Sequence, residues 1–213
     1  MSPLSVGKEE EAVLNVALTG GIACGKSAVA QMFVERGCKL VDADRIAREV
    51  VMPGQVTLQQ IVNTFGLQIL LPDGTLDRKL LGKLIFQDEA ARKSLEAIIH
   101  PAIRAELHRQ VHDWNKIDPS ALVIVDIPLY FESLDKHPYS FDEVIVVYVP
   151  RSMQLSRLME RDQLPLADAE RRIDAQMSIE EKKARADVVI DNQGTLAETL
   201  VQVETYLKQK GIC

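Results

Sequence analysis

Residues 20–27 read Gly-Gly-Ile-Ala-Cys-Gly-Lys-Ser, a full match to G-x-x-x-x-G-K-[ST]. Each position has a chemical task. Glycines let the backbone curl so that successive N–H groups turn toward one anion. The amides of Gly21, Ile22, Ala23, Cys24, Gly25, Lys26, Ser27 and Ala28 are the candidates for that cradle. A helix opening at Lys26 adds the positive end of its dipole. Lys26 is placed to reach the β- and γ-phosphates of a nucleotide, and Ser27 to offer its hydroxyl to Mg²⁺. ATP with Mg²⁺ is the ligand this chemistry predicts.

Acidic residues then mark the acceptor side. Asp126 follows the apolar run Leu122–Val125, where a P-loop site has its second acidic element and holds Mg²⁺ directly or through water. Asp42 and Asp44 end another short apolar run. One of the pair suits a helix N-cap and the other a proton acceptor for an attacking hydroxyl, and the residues alone leave the order open. Arg151, Arg157, Arg161, Arg171 and Arg172 crowd the stretch before the last strand. They suit either a mobile lid that stabilises charge on a transferring phosphoryl group or a solvated face balanced by neighbouring acids. Arg157 and Arg161 share a helical face and are the functional candidates.

These groups need a frame at whose edge they meet. Val13–Leu18, Cys38–Val41, Ala121–Ile127, Glu143–Val149 and Ala186–Ile190 read as five buried strands. Helical patterns separate them, including Lys26 to about Arg36, closed by Gly37, and Thr195–Gln209. Alternation of this kind predicts an α/β three-layer fold with a parallel sheet, whose ligands gather beyond the carboxyl ends of the strands. From Arg45 to about Asp118 no strand is expected, and the stretch reads as a helical insertion. The expected division is a flexible, solvated leader at 1–12 and a nucleotide-binding core from 13–50, 119–150 and 186–213. A helical acceptor domain fills 51–118, and a lid fills 151–185.

Composition bounds the rest. The chain has 213 residues, enough for one α/β core with an insertion. Its net charge of -6 argues against long nucleic acid as a partner. The sparse cysteines, Cys24, Cys38 and Cys213, point to a reducing compartment rather than a disulfide framework. No apolar run reaches the ~18 residues of a membrane span, and Lys8-Glu9-Glu10-Glu11 does not suit a signal peptide. The cytoplasm is the expected location.

Further stretches carry a family likeness. Val16–Ile22 with Gly25-Lys26-Ser27 resembles the opening of dephospho-CoA kinases, as does Val41-Asp42-Ala43-Asp44-Arg45-Ile46-Ala47-Arg48 followed by Pro53-Gly54. Asp73–Arg78, His100–Arg104 and Asp126-Ile127-Pro128-Leu129 with Glu132 continue it. So do Gln154–Leu158 with Arg161-Asp162, and Ala186–Ile190 with Asn192 and Gly194. The resemblance implies a P-loop kinase with a five-stranded parallel sheet, a CoA-binding helical insertion and a lid. It implies transfer of the γ-phosphoryl of ATP to the ribose 3′-hydroxyl of dephospho-CoA, the last step of CoA synthesis. It assigns Asp44 to the acceptor hydroxyl, Thr19 to the neighbourhood of the reacting phosphates, Arg157 to ATP and Asn192 to the adenine. Arg78, His100, Arg104, Pro128 and Leu129 would fix the acceptor or its domain, although His100-Pro101 also suits a packed helix start.

Four positions depart from the family pattern. Ala23-Cys24 stands where Gly-Ser is usual, Ala28 where Thr is usual, and Tyr130 where Leu is frequent. Cys24, near a helix N-terminus, is a candidate for a lowered thiol pKa and oxidation sensitivity, or else a buried inert thiol. Other readings are weaker. A GTP switch requires an [NT]-K-x-D guanine motif, which is absent, and a CoA-binding module has no use for a complete P-loop. Another small-molecule kinase would differ in its acceptor.

Overall fold

The five β-branched runs form five parallel strands in a computed structural model that describes residues 15–133 and 141–212. The leader expected at 1–12, residues 13 and 14 of the first strand, and Cys213 lie outside the described residues. The strands are β1 (Asn15–Gly20), β2 (Lys39–Asp42), β3 (Val123–Asp126), β4 (Glu143–Tyr148) and β5 (Val188–Asp191). Their order is β2-β3-β1-β4-β5, which puts the strand that leads into the glycine loop at the centre. Register aligns the strand ends. Asp42 pairs with Asp126 across β2 and β3, Leu18 pairs with Asp126, and Gly20 pairs with Val147. The carboxylates and the loop therefore emerge on one edge.

Burial on both faces explains the unbroken apolar runs. Val16, Leu18, Ile124, Ile145 and Val147 are fully buried. Helix α1 (Lys26–Glu35) sets Phe33 edge-on to Tyr206, with ring centroids 5.9 Å apart. It stops at Gly37, whose φ of 91° lets its N–H reach Val34 O at 2.9 Å and the Cys38 N–H reach Phe33 O at 3.1 Å.

The chain leaves the sheet twice. Between β2 and β3 it builds α2 (Ala43–Glu49), α3 (Val56–Phe65), a 3₁₀ turn (Leu67–Ile69), α4 (Arg78–Gln87) and α5 (Glu89–Ile117). The extended structure here is one antiparallel bridge, Leu70 to Leu76, around the Pro72-Asp73-Gly74 turn. Helix α5 corrects the reading of His100-Pro101 as a helix start. It runs 29 residues and carries Pro101 in its interior. Packing against α2, α3 and α4 outweighs the one intrahelical bond that the proline removes.

The short α6 (Tyr130–Ser133) follows β3. Between β4 and β5 lie α7 (Arg151–Asp162), α8 (Leu166–Asp174) and α9 (Ile179–Ala184). Leu158, Ala169 and Ile173 form a small core of their own there, joined by Ile22 and Ala23 from the glycine loop. The last helix, α10 (Leu196–Gln209), opens on a reciprocal capping box between Thr195 and Glu198.

Candidate active site

Two residues in the loop adopt positive φ, Ala23 at 60° and Gly25 at 86°. Left-handed residues alternating with right-handed ones turn neighbouring amides inward, which makes an anion nest. The amides of Ala23, Gly25, Lys26 and Ser27 donate to no protein acceptor among the described residues. Three others on the expected list are committed. Cys24 N–H donates to Gly21 O at 3.2 Å, Ala28 N–H to Gly25 O at 3.0 Å, and Ile22 N–H to the Gln176 side-chain oxygen at 2.9 Å.

Outward-facing carbonyls are held as carefully as the amides. Lys182 Nζ donates to Gly20 O at 3.2 Å, Gln154 Nε2 to Ile22 O at 2.9 Å, and Asn192 Nδ2 to Cys24 O at 2.8 Å. Every second carbonyl thus receives a donor from the C-terminal third of the chain. The approach is so close that it dictates glycine. A Cβ on Gly21 would run into the Gln154 amide, and one on Gly25 into the Asn192 amide.

Asn192 is buried, and its Oδ1 accepts from Thr199 Oγ1 at 2.9 Å. Its amide is occupied in shaping the loop, a task that the resemblance did not assign to it. Arg157 lies beside it and donates to Asn192 O at 3.0 Å. Arg161, its expected companion, is exposed and turned onto Asp162 at 2.7 Å. Arg151, Arg171 and Arg172 pair with Asp174, Asp168 and Asp162, as a solvated face would.

Lys26 pairs with Asp126 at the heart of the edge. Burial pushes the Asp126 carboxyl above its usual range, the Lys26 ammonium pulls it back, and the charges of Asp42 and Asp44 add to the rise. Of Asp42 and Asp44, the first takes the capping role. Asp42 Oδ1 accepts from the Arg45 amide at 2.9 Å and caps α2, while Asp44 sits in the first turn with its side chain exposed. Thr19 is fully buried and its hydroxyl donates to Pro128 O at 3.2 Å, which fixes the turn after β3. Leu129 next to it is half-exposed.

Ser27 is exposed beside Lys26. Among the described residues no cluster of three or more His, Cys, Asp or Glu side chains forms a metal cage. Mg²⁺ needs no such cage, since it takes one or two protein oxygens and fills its octahedron with phosphate and water. A hydroxyl at Ser27 and a carboxylate at Asp126 are donors of that hard-oxygen kind.

The two readings of Cys24 separate here. Its side chain is fully buried, and burial raises its thiol pKa despite the nearby helix start and the Lys182 and Arg157 charges. It is the inert thiol of the two readings.

Arg78 opens α4 and is exposed, away from the loop. With Arg48, Thr75 and the apolar Val51, Met52 and Leu76 it lines a pocket of about 300 Å³. His100 and Arg104 lie half-buried one turn apart on α5.

Sequence reasoning gave no role to four residues. Glu132 Oε1 meets the fully buried Lys182 Nζ at 2.7 Å and also accepts from the Met177 amide at 3.0 Å. Gln154 and Gln176 bracket Ile22. Lys182 hides in the run Glu180-Glu181-Lys182-Lys183, which reads as solvated. For Gln154 a signal existed: three residues before Arg157, it shares that arginine's helical face.

Comparison with known proteins decides which kinase this edge belongs to. The dephospho-CoA kinase family model matches residues 14–198. The chain belongs to the dephospho-CoA kinase family. It is a kinase of the class that phosphorylates dephospho-CoA with ATP to give CoA, the last step of CoA biosynthesis. The dephospho-CoA kinase of Enterococcus faecalis is 48% identical over 193 residues, which cover 91% of this chain and 95% of that one. The one from Shouchella clausii is 49% identical over 190 residues, covering 89% and 95%. The solved dephospho-CoA kinase from Campylobacter jejuni superimposes with a TM-score of 0.69 at 33% identity, over 93% of this chain and 98% of that one. The P-loop kinase fold with its five-stranded parallel sheet is therefore that of the family.

Proposed function

We propose that phosphoryl transfer to the ribose 3′-hydroxyl of dephospho-CoA takes place at the edge where the glycine loop, Lys26, Asp126 and Asp44 meet. The observation that carries this reading is the loop itself, with amides 23, 25, 26 and 27 uncommitted to protein acceptors next to the Lys26–Asp126 pair. Those amides bind the polyphosphate of ATP, and Lys26 leaves Asp126 to follow the γ-phosphate. Ser27 and Asp126 would hold Mg²⁺, which would supply neutralisation of phosphate charge. Asp44 orients the acceptor hydroxyl and takes its proton. Arg157 stabilises charge that develops on the transferring group, and Thr19 keeps the Pro128–Leu129 turn in place.

The regions divide the work. Residues 13–50, 119–150 and 186–213 form the nucleotide core, 51–118 the acceptor domain and 151–185 the lid. The pocket of Arg48 and Arg78 suits the acceptor's pyrophosphate beside an apolar wall. His100 and Arg104 support that domain from α5. We assign the enzyme to the cytoplasm and to small-molecule substrates, not nucleic acid. Among the described residues no helix is long and apolar enough to cross a membrane.

The test is incubation with ATP, Mg²⁺ and dephospho-CoA, followed by mass spectrometry and fragmentation of the product. One added phosphate on the ribose 3′-oxygen is expected. Phosphate on another atom, or ATP consumption indifferent to dephospho-CoA, overturns the reading.

A further inference from the structure

The Ile22 peptide is gripped at both ends by glutamine side chains. Gln154 Nε2 donates to its carbonyl, and its N–H donates to Gln176 Oε1, each at 2.9 Å. The two grips differ in kind. A donor on the carbonyl leaves the loop's amides turned toward an anion. An acceptor on the amide occupies a group that an anion needs. A neutral amide oxygen hydrogen-bonded to a loop N–H is a weaker version of what a phosphoryl oxygen offers there, since charge-assisted bonds are roughly twice as strong.

Position sharpens the point. The amides at the helix start, Lys26 and Ser27, face the inner phosphates by the dipole rule. Ile22 lies four residues earlier, at the strand end of the loop, the side on which the nucleotide site proposed above would leave the terminal phosphate. Gln176 stands in the link 175–178 between α8 and α9. The next residue of that link, Met177, is tied through Glu132 to Lys182, which itself holds Gly20 O. A change at Gln176 therefore acts on the base of the proposed lid.

We propose that Gln176 is a positioning residue. Its side-chain oxygen holds the Ile22 amide of the phosphate loop until a terminal phosphoryl oxygen of a nucleoside triphosphate takes its place. The inference rests on the nucleotide site proposed above. While the loop is empty, Gln176 keeps the Ile22 amide from turning outward. When a triphosphate binds, the amide changes partner and the 175–178 link loses one tie to the loop. A diphosphate leaves the tie intact.

Binding of a non-hydrolysable ATP analogue and of ADP to the full chain, by calorimetry, tests this. Loss of analogue binding in Lys26→Ala tests the nucleotide site separately. Gln176→Met keeps length and removes the competing oxygen. It is expected to bind the ATP analogue about three- to tenfold more tightly, the size of one net hydrogen bond, and ADP as the wild type does. Gln176→Glu puts a carboxylate on the same amide. It is expected to weaken the analogue tenfold or more at neutral pH, with recovery as the pH falls through the carboxylate range, and to affect ADP less. A purely structural glutamine gives another result: Gln176→Met then binds both nucleotides equally well or more weakly, and that overturns the proposal. If Gln176→Met does not fold, wild-type hydrogen exchange decides. Faster exchange in 175–178 with the ATP analogue than with ADP is expected, and equal rates overturn the proposal.

Discussion

The two helical excursions from the sheet meet the reaction edge in opposite ways. The stretch 151–184 reaches the glycine loop with named polar bonds, from Gln154, Gln176 and Lys182, and packs Ile22 and Ala23 against its own small core. The stretch 43–117 packs through apolar faces and leaves Arg78, Asp44, Met52, Val56 and Phe86 in the solvent. One region is built onto the nucleotide loop before any ligand arrives. The other leaves those groups uncovered. Catalysis by positioning needs the first kind where charge is greatest and the second where a large acceptor must enter and leave.

That contrast predicts different kinetic signatures. Asp44→Asn strikes the exposed side at its chemical centre. It is expected to lower kcat by about 10²-fold or more with ATP affinity nearly unchanged, measured by steady-state kinetics and calorimetry. A turnover near the wild-type value removes Asp44 from the proton-acceptor role.

Asp126→Asn strikes the built side, with a large loss of kcat and a separate mark on stability. The folded pKa of Asp126 stands above its unfolded value. The group therefore favours the fold below the unfolded carboxylate range, and that contribution disappears as pH rises through the folded value. The amide variant cannot ionise. Its stability relative to wild type is expected to improve as the pH rises from the unfolded carboxylate range through the folded value. Denaturant midpoints across that range check this, and parallel curves contradict it.

Lys182→Met should separate the two excursions most clearly. Breaking its pair with Glu132, in which Lys182 is fully buried and Glu132 is 21% exposed, costs about 3 kcal/mol. Adding Glu132→Leu should restore much of the melting temperature, because an apolar pair avoids the desolvation penalty. It should not restore the ATP KM, because the Gly20 carbonyl still lacks its donor.

Arg78→Ala is expected to raise the KM for dephospho-CoA about tenfold and leave that for ATP alone. A shift in both would erase the division between the regions.

Ala23→Gly gives the smallest effect. Ala23 holds a φ of 60°, which costs a residue with a Cβ about 1 kcal/mol. Glycine relieves that strain but loses entropy on folding and a methyl group from the small core. A net gain below about 1 kcal/mol is expected by chemical denaturation.

Much of this was legible in the residues. The five strands, the helix closing at Gly37, the closing helix from Thr195 and the glycine loop follow local rules of period, caps and turns. Asp126 was legible at its strand end, but its pairing with Lys26 was not. What escaped were bonds between residues far apart in sequence. Gln154 to Ile22 spans 132 positions and Lys182 to Gly20 spans 162. No local pattern marks which lysine of a charged run turns inward. His100-Pro101 misled for the opposite reason: a local helix breaker was overruled by tertiary packing along α5. Of the two readings of Cys24, the structure favours the buried thiol, because a nearby helix start does not offset desolvation.

The burial of Cys24 makes the protein its own stopwatch. A thiol sealed beneath the glycine turn can be alkylated only in the moments when that turn lifts. The speed of its labelling by a neutral maleimide therefore counts those openings, and nucleotides that close the site should slow the count.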